Sequence, residues 1–310
     1  MIKALGFGAT ATTLILLTGC ASSPEAFGSA KSFAVAKSHF ANYGTNRIHY
    51  LTAGKGKQTI VFVHGWSCNS DFWREQVPGF ADKARLILVD LPGHGRSDKP
   101  PTRYTPDFFA GAVLAVMRDA HVNQAVLVGH SLGTAVICRV YAQAPKKVAA
   151  LVVVDGFLRR RKMPPGEAEK YIRRYRAADY RDQMARFVHG VFAGKGTEAL
   201  QDRVLSEMLQ TPQHVIVSAM EEPLVAADQP DWDLQKADVP LLVIRARSPM
   251  WGDEDEKYVA TLSSRTDYHV MDGAGHFLML EKPAEFNATL MDMLGKFNLI
   301  AKGPRSKTAR

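Results

Sequence analysis

Apolar residues along this chain fall into short, nearly uninterrupted runs: Thr59–Val63, Ala84–Asp90, Gln124–Val128, Val148–Gly156 and Val239–Ile244. Runs of this length, rich in branched aliphatics, fit strands covered on both faces, as in the middle of a parallel sheet. Asn46–Leu51 instead alternates apolar and polar positions. It predicts edge-type antiparallel strands within Ser32–Tyr50, followed by a turn at Gly54–Lys57. Ser70–Phe80 and Thr105–Ala120 read as helices, the second opened by Pro106, and Thr266–Met271 reads as a last strand. Strands alternating with helices predict an α/β fold with a mostly parallel, doubly wound sheet.

Between Phe157 and about Trp232 the pattern changes to charged, helix-compatible segments broken by Met163–Gly166, Ala193–Gly196 and Thr211–Pro212. Three or four helices inserted as a cap are expected. The predicted organisation is a first core segment at 39–156, a cap at 157–233, a second core segment at 234–299 and a basic tail at 300–310. Phe157, Leu158 and Phe277 are candidates to line an apolar substrate pocket. Met184, Phe187, Phe192, Met208, Met220 and Leu224 could extend that pocket, although residues at helical spacing, Phe157 and Leu158 included, more often pack a core.

One run leads into Gly129-His130-Ser131-Leu132-Gly133 and then a helix-compatible stretch to Ala142. A glycine two positions either side of a serine, between strand and helix, lets the two elements approach while the serine sits on a strained turn. Ser131 is therefore a candidate nucleophile. A serine hydroxyl needs a base within hydrogen-bond reach. Of the ten histidines, His276 follows the last strand in a glycine-flanked loop near the end of the domain. The backbone N–H groups of Trp66, after the strand ending at Val63, and of Leu132 are the candidate oxyanion donors. His64 is expected to order its loop and take no part in proton transfer.

His64-Gly65-Trp66, the Asp90-Leu91-Pro92-Gly93-His94-Gly95-Arg96-Ser97 loop and Gly129–Gly133, in this order and spacing, resemble the α/β-hydrolase superfamily over roughly Phe40–Leu294. The resemblance implies structural roles for Asp90 and His94 in bracing the loop beside the serine. It also implies a triad acid soon after the strand at Leu241–Ile244, but Arg245–Met250 contains no carboxylate. Two acids stay open: Asp155, at the end of the preceding strand, where some members of the superfamily carry it, and Asp253, late on the expected loop. The implied activity is cleavage of a carboxylic ester with a short or medium acyl chain, through an acyl-enzyme and without cofactor or metal. The same triad acting on a carbon–carbon, amide or lactone bond is the first alternative, and a binding protein on a hydrolase fold the second.

The N-terminus and the charge add a location. Residues 1–19 combine Lys3 with an apolar run ending Leu14–Leu17, too short to span a bilayer and fitting a secretory signal. Leu17-Thr18-Gly19-Cys20 resembles the lipobox of bacterial lipoproteins. That resemblance implies acylation of Cys20, a tether over 20–38, and anchoring to a membrane, the outer one facing the periplasm because Ala21 follows the cysteine. Cys68 and Cys138, on separate elements, are expected to be free thiols. The net charge of +8 concentrates at Arg159–Arg176 and in the tail, which fits a solvated helix face or an anionic lipid surface. No zinc-type spacing, phosphate loop or aromatic-basic interleaving points to a metal, a nucleotide or a nucleic acid. The expected partners are a small-molecule ester and the membrane holding the anchor.

Overall fold

The computed structural model describes residues 36–158, 164, 166–194, 196–225, 234, 237–249 and 251–300. The signal and lipobox with Cys20, most of the tether, Arg159–Lys162 and the tail from Ala301 lie outside the described residues. Eight strands are β1 (Lys37–Tyr43), β2 (Asn46–Ala53), β3 (Thr59–Val63), β4 (Arg85–Val89), β5 (Ala125–His130), β6 (Val148–Val154), β7 (Leu241–Ala246) and β8 (Thr266–Met271). They form one sheet in the order β1-β2-β4-β3-β5-β6-β7-β8. β1 and β2 pair antiparallel, β2 meets β4 antiparallel, and every pairing from β4 to β8 is parallel.

The sequence pattern has a direct physical counterpart here. Every residue of β3, β5 and β7 is buried, because these strands are covered on both faces, whereas β1 at the edge buries only Ala41 and leaves the rest partly or fully exposed. β7 runs two residues beyond the apolar stretch, so that Arg245 and Ala246 belong to the strand and Arg245 is fully buried. The Ser70–Phe80 segment is a 3-10 helix over Ser70–Gln76 that passes into a single α turn, α1 (Val77–Phe80). α2 (Pro106–Asp119) starts where Thr105 Oγ1 accepts the Phe108 N–H at 3.1 Å, and buries Phe109, Ala112, Val113 and Val116. α3 (Leu132–Gln143) packs on α2 and on β5 and β6.

Between β6 and β7 the described residues form four helices: α4 (Glu167–Arg176), α5 (Tyr180–Val191), α6 (Glu198–Met208) and α7 (Gln213–Val225). Met184 and Met208 are fully buried and form part of the cap interior. The cap is fastened to the loop after β3: Trp66 Nε1 donates to Ile216 O at 2.8 Å, Thr211 Oγ1 to Ser67 O at 3.2 Å, Asn69 Nδ2 to Glu207 Oε2 at 2.9 Å, and Arg203 pairs with Asp71 at 3.0 Å. α8 (Asp253–Leu262), α9 (Leu278–Glu281) and α10 (Pro283–Lys296) are the remaining helices among the described residues. Among the described residues, no helix is long and apolar enough to cross a membrane. Cys68 and Cys138 are buried free thiols, and burial raises the pKa of both.

The loop after β4 is organised by one buried carboxylate. Asp90 Oδ2 pairs with His49 Nδ1 at 2.7 Å and accepts the Arg96 N–H at 2.9 Å, while Oδ1 accepts the Ser70 N–H at 2.6 Å. Burial pushes this carboxyl up, but the hydrogen bonds outweigh it and hold the group at about 2. A folded-state pKa below the unfolded value stabilises above the unfolded value, and the gain is lost as pH falls through the folded one. Urea denaturation should therefore show Asp90→Ala less stable by about 3 kcal/mol or more at pH 7. The wild type should lose part of that margin between about pH 4 and 2.

Candidate active site

The strand order reverses at β3 and β5, since β4 lies to one side of this pair and β6 to the other. Loops leaving the carboxyl ends of two such strands diverge and open a crevice. Here those loops carry His64–Ser67 and Ser131. Ser131 has φ 52° and ψ −118°, a left-handed conformation that a non-glycine residue adopts only when its surroundings impose it. The imposition comes from packing. A Cβ on Gly129 would lie 2.4 Å from Gly133 O, and one on Gly133 would lie 2.5 Å from Val63 O, so only glycine lets β5, α3 and β3 meet this closely. Ser131 N–H donates to Val154 O at 2.9 Å, which sets the serine beside the end of β6.

The next residue beyond β6 is Asp155, with φ 45°, buried at 4% exposure. Its Oδ2 lies 2.7 Å from His276 Nδ1, and its Oδ1 accepts from the Ala246 N–H at 2.9 Å and from Trp251 Nε1 at 2.8 Å. Burial raises its pKa, yet the hydrogen bond from His276, the amide and the Arg245 charge together leave it below the ordinary carboxylate value. Asp155 is thus an ionised acceptor for a donor on His276 Nδ1, which leaves Nε2 as the free ring nitrogen. Asp253 opens α8 on the surface and makes no hydrogen bond to His276. Of the two acids open in the sequence, only Asp155 reaches the imidazole.

His276 is held from three sides. Its N–H donates to Val191 O at 2.8 Å, and its carbonyl accepts from His130 Nε2 at 2.8 Å. Glu281 Oε2 accepts the N–H groups of Gly275 at 3.0 Å and Ala193 at 3.3 Å, tying the histidine loop to the end of α5. Burial raises the Glu281 carboxyl, with those amides opposing it. The His130 ring packs tilted against His276 with centroids 4.6 Å apart, and burial together with that neighbour lowers it to about 3, so it serves as a neutral donor. His64 is likewise kept neutral by burial; Nδ1 donates to Gly65 O at 2.8 Å and Nε2 accepts the Leu91 N–H at 3.0 Å, which orders the loop.

That loop lies against the serine, for a Cβ on Gly65 would sit 3.1 Å from Ser131 Cβ. Among the described residues, neither the Trp66 N–H nor the Leu132 N–H, the first of α3, donates to a protein acceptor. The pocket candidates sit differently from expectation. Leu158 and Phe277 are each 1% exposed, and Phe277 packs among Phe72, His130 and Phe192. A side chain with almost no surface open to water presents almost none to a ligand, so both belong to the interior. Phe157 is 40% exposed and rests on Trp251, with ring centroids 4.8 Å apart. Trp251, Ala246, Glu281 and His130 escaped sequence reasoning. None lies in a recognisable motif apart from His130, which stands beside the serine.

A family model of the alpha/beta hydrolase fold matches residues 58–283. The chain belongs to the alpha/beta hydrolase family. It is 27% identical over 281 residues to the dihydrolipoyllysine-residue acetyltransferase component of an acetoin cleaving system from Cupriavidus necator, with 84% of this chain and 70% of that one covered. It is 29% identical to a 2-hydroxy-6-oxononadienedioate/2-hydroxy-6-oxononatrienedioate hydrolase from Paraburkholderia phymatum, covering 81% and 91%. Among solved structures it resembles an N-acyl homoserine lactone degrading enzyme (TM-score 0.69, 27% identity, 82% and 99% covered). In fold it also matches an esterase from Exiguobacterium antarcticum (TM-score 0.75, 20% identity, 84% and 100% covered).

The contact between the histidine loop and α5 is directly testable. A Cβ on Gly275 would lie 2.3 Å from Val191 O, so Gly275→Ala should displace His276 while the sheet remains folded. Hydrolytic turnover by the family member should fall about a hundredfold, with an unchanged circular dichroism spectrum.

Proposed function

We propose that the protein is a serine hydrolase that cleaves carboxylic esters of short or medium acyl chain. The observation that carries this reading is the 2.7 Å pairing of buried, ionised Asp155 with His276 beside the strained turn of Ser131. Asp155 fixes the imidazole with its proton on Nδ1, and Nε2 takes the Ser131 proton as Oγ attacks the substrate carbonyl. Charge then develops on the carbonyl oxygen, and the unpaired N–H groups of Trp66 and Leu132 are the donors adjacent to the serine that would receive it. The imidazolium returns its proton to the leaving alcohol, and the acyl-enzyme is cleaved by a water activated by the same histidine. The chemistry uses no metal and no cofactor.

The lactone, amide and carbon–carbon alternatives share every step except the bond broken. The lactone-degrading and dioate-hydrolysing relatives make them the natural extension of a substrate panel. We also read Cys20 as the lipidated first residue of an exported mature chain, on the resemblance of Leu17–Cys20 to a lipobox. Labelled palmitate incorporated into the wild type and not into Cys20→Ser would support that anchor. Label in both would remove it.

Hydrolysis of p-nitrophenyl esters from acetate to palmitate, by the chain from Ala21, tests the reaction. Activity should vanish in Ser131→Ala, fall roughly ten-thousandfold in Asp155→Asn, and stay at the wild-type level in Asp253→Asn. Phosphonate labelling of the wild type and not of Ser131→Ala should accompany it. No hydrolysis and no labelling would leave a binding protein on a hydrolase fold.

A further inference from the structure

The acid of this site stands one strand away from the loop on which the family resemblance places it, and the vacated region is filled by a cation and an indole. Arg245, fully buried in β7, donates from Nε to Asp255 Oδ2 at 3.0 Å and from Nη1 to Gly156 O. Its guanidinium lies 3.9 Å from the centroid of Trp251, a cation–π contact in a desolvated setting. Phe157 closes on the indole from the cap side, and Tyr268 completes the cluster by donating to Asp255 Oδ2 at 2.9 Å. Held between these groups, the indole has one polar atom, and Nε1 donates to Asp155 Oδ1 at 2.8 Å.

We propose that Trp251 is a positioning residue of the triad, its indole N–H holding the Asp155 carboxylate in the orientation that receives His276. This rests on the serine hydrolase reading above. Asp155 follows β6 in a left-handed conformation, and its carboxylate could rotate about the side-chain bonds if Oδ1 were held by the Ala246 amide alone. A second donor from another element fixes the carboxylate plane, so that Oδ2 faces Nδ1 of His276. Arg245 sets the indole plane and adds positive charge next to the acid. The pair brackets the stretch just after β7, Arg247–Met250, that carries no carboxylate. Trp251 touches no reacting atom and acts only through Asp155.

The test uses Trp251→Phe, which keeps an aromatic ring against Arg245 and Phe157 and deletes the donor. A second variant carries benzothienylalanine at position 251, where sulfur replaces the N–H in a ring of the same shape. Two readouts are taken: kinetics on the best p-nitrophenyl ester across pH, and the downfield proton NMR signal of the hydrogen shared by His276 and Asp155. Both variants should lose about tenfold or more in kcat with KM little changed. The acid limb of kcat/KM should move to lower pH, because a carboxylate turned away from Nδ1 stabilises the imidazolium less. The shared proton should shift or broaden. Wild-type kcat, limb and signal in either variant would overturn the proposal, as would a loss confined to KM, which would make Trp251 part of a substrate wall. Ser131→Ala runs in parallel. If it retains activity the serine hydrolase reading falls, while the NMR signal still decides whether Trp251 holds Asp155.

Discussion

Four backbone segments converge on Ser131, and the rest of the site is built on the closeness of that meeting. β5 enters, α3 leaves, the end of β3 presses on Gly133, and the end of β6 receives the serine N–H. A methyl group at Gly129 or Gly133 would force backbone apart. The serine's positive φ is a consequence of this packing, a local strain maintained by a sheet whose central strands are wholly buried. The same convergence brings the loops after β3 and β6 beside the hydroxyl. Acid, base and oxyanion candidates are therefore positioned by strand ends of one rigid sheet.

The electrostatics follow from burial handled in two opposite ways. Burial lowers His64, His94 and His130 and leaves them neutral, so each donates through one ring nitrogen and serves as a structural strut. Asp90 and Asp155 are buried as well, but each collects three donors, which outweigh the cost of desolvation and keep the carboxylate charged. Asp90 spends its charge on loop order. Asp155 directs its charge at His276, the more exposed partner of that pair.

The cap is coupled to this chemistry through short links. Its first residue, Phe157, rests on Trp251, the end of α5 meets the His276 loop, and α6 and α7 hold the loop of Trp66. A movement of the cap would thus act on the support of Asp155, the loop of His276 and the loop of Trp66 together.

The sequence by itself pointed to the sheet, the inserted cap and the candidates Ser131 and His276, because these depend on local signals: uninterrupted apolar runs, glycines at fixed offsets from a serine, and a glycine-flanked histidine after the last strand. It left two acids open, because Asp155 and Asp253 both follow strands, and proximity to His276 is a property of strand order in space. Only the tertiary structure decided that geometry, by laying β6 and β7 side by side so that Asp155 faces the histidine loop while Asp253 turns outward on α8. It alone placed Arg245 inside β7, where a single charged residue at the end of an apolar run gives no sign of burial. It also moved Leu158 and Phe277 from a pocket wall into the interior. Hydrophobicity fixes that a side chain is covered, and the packing of distant segments fixes what covers it.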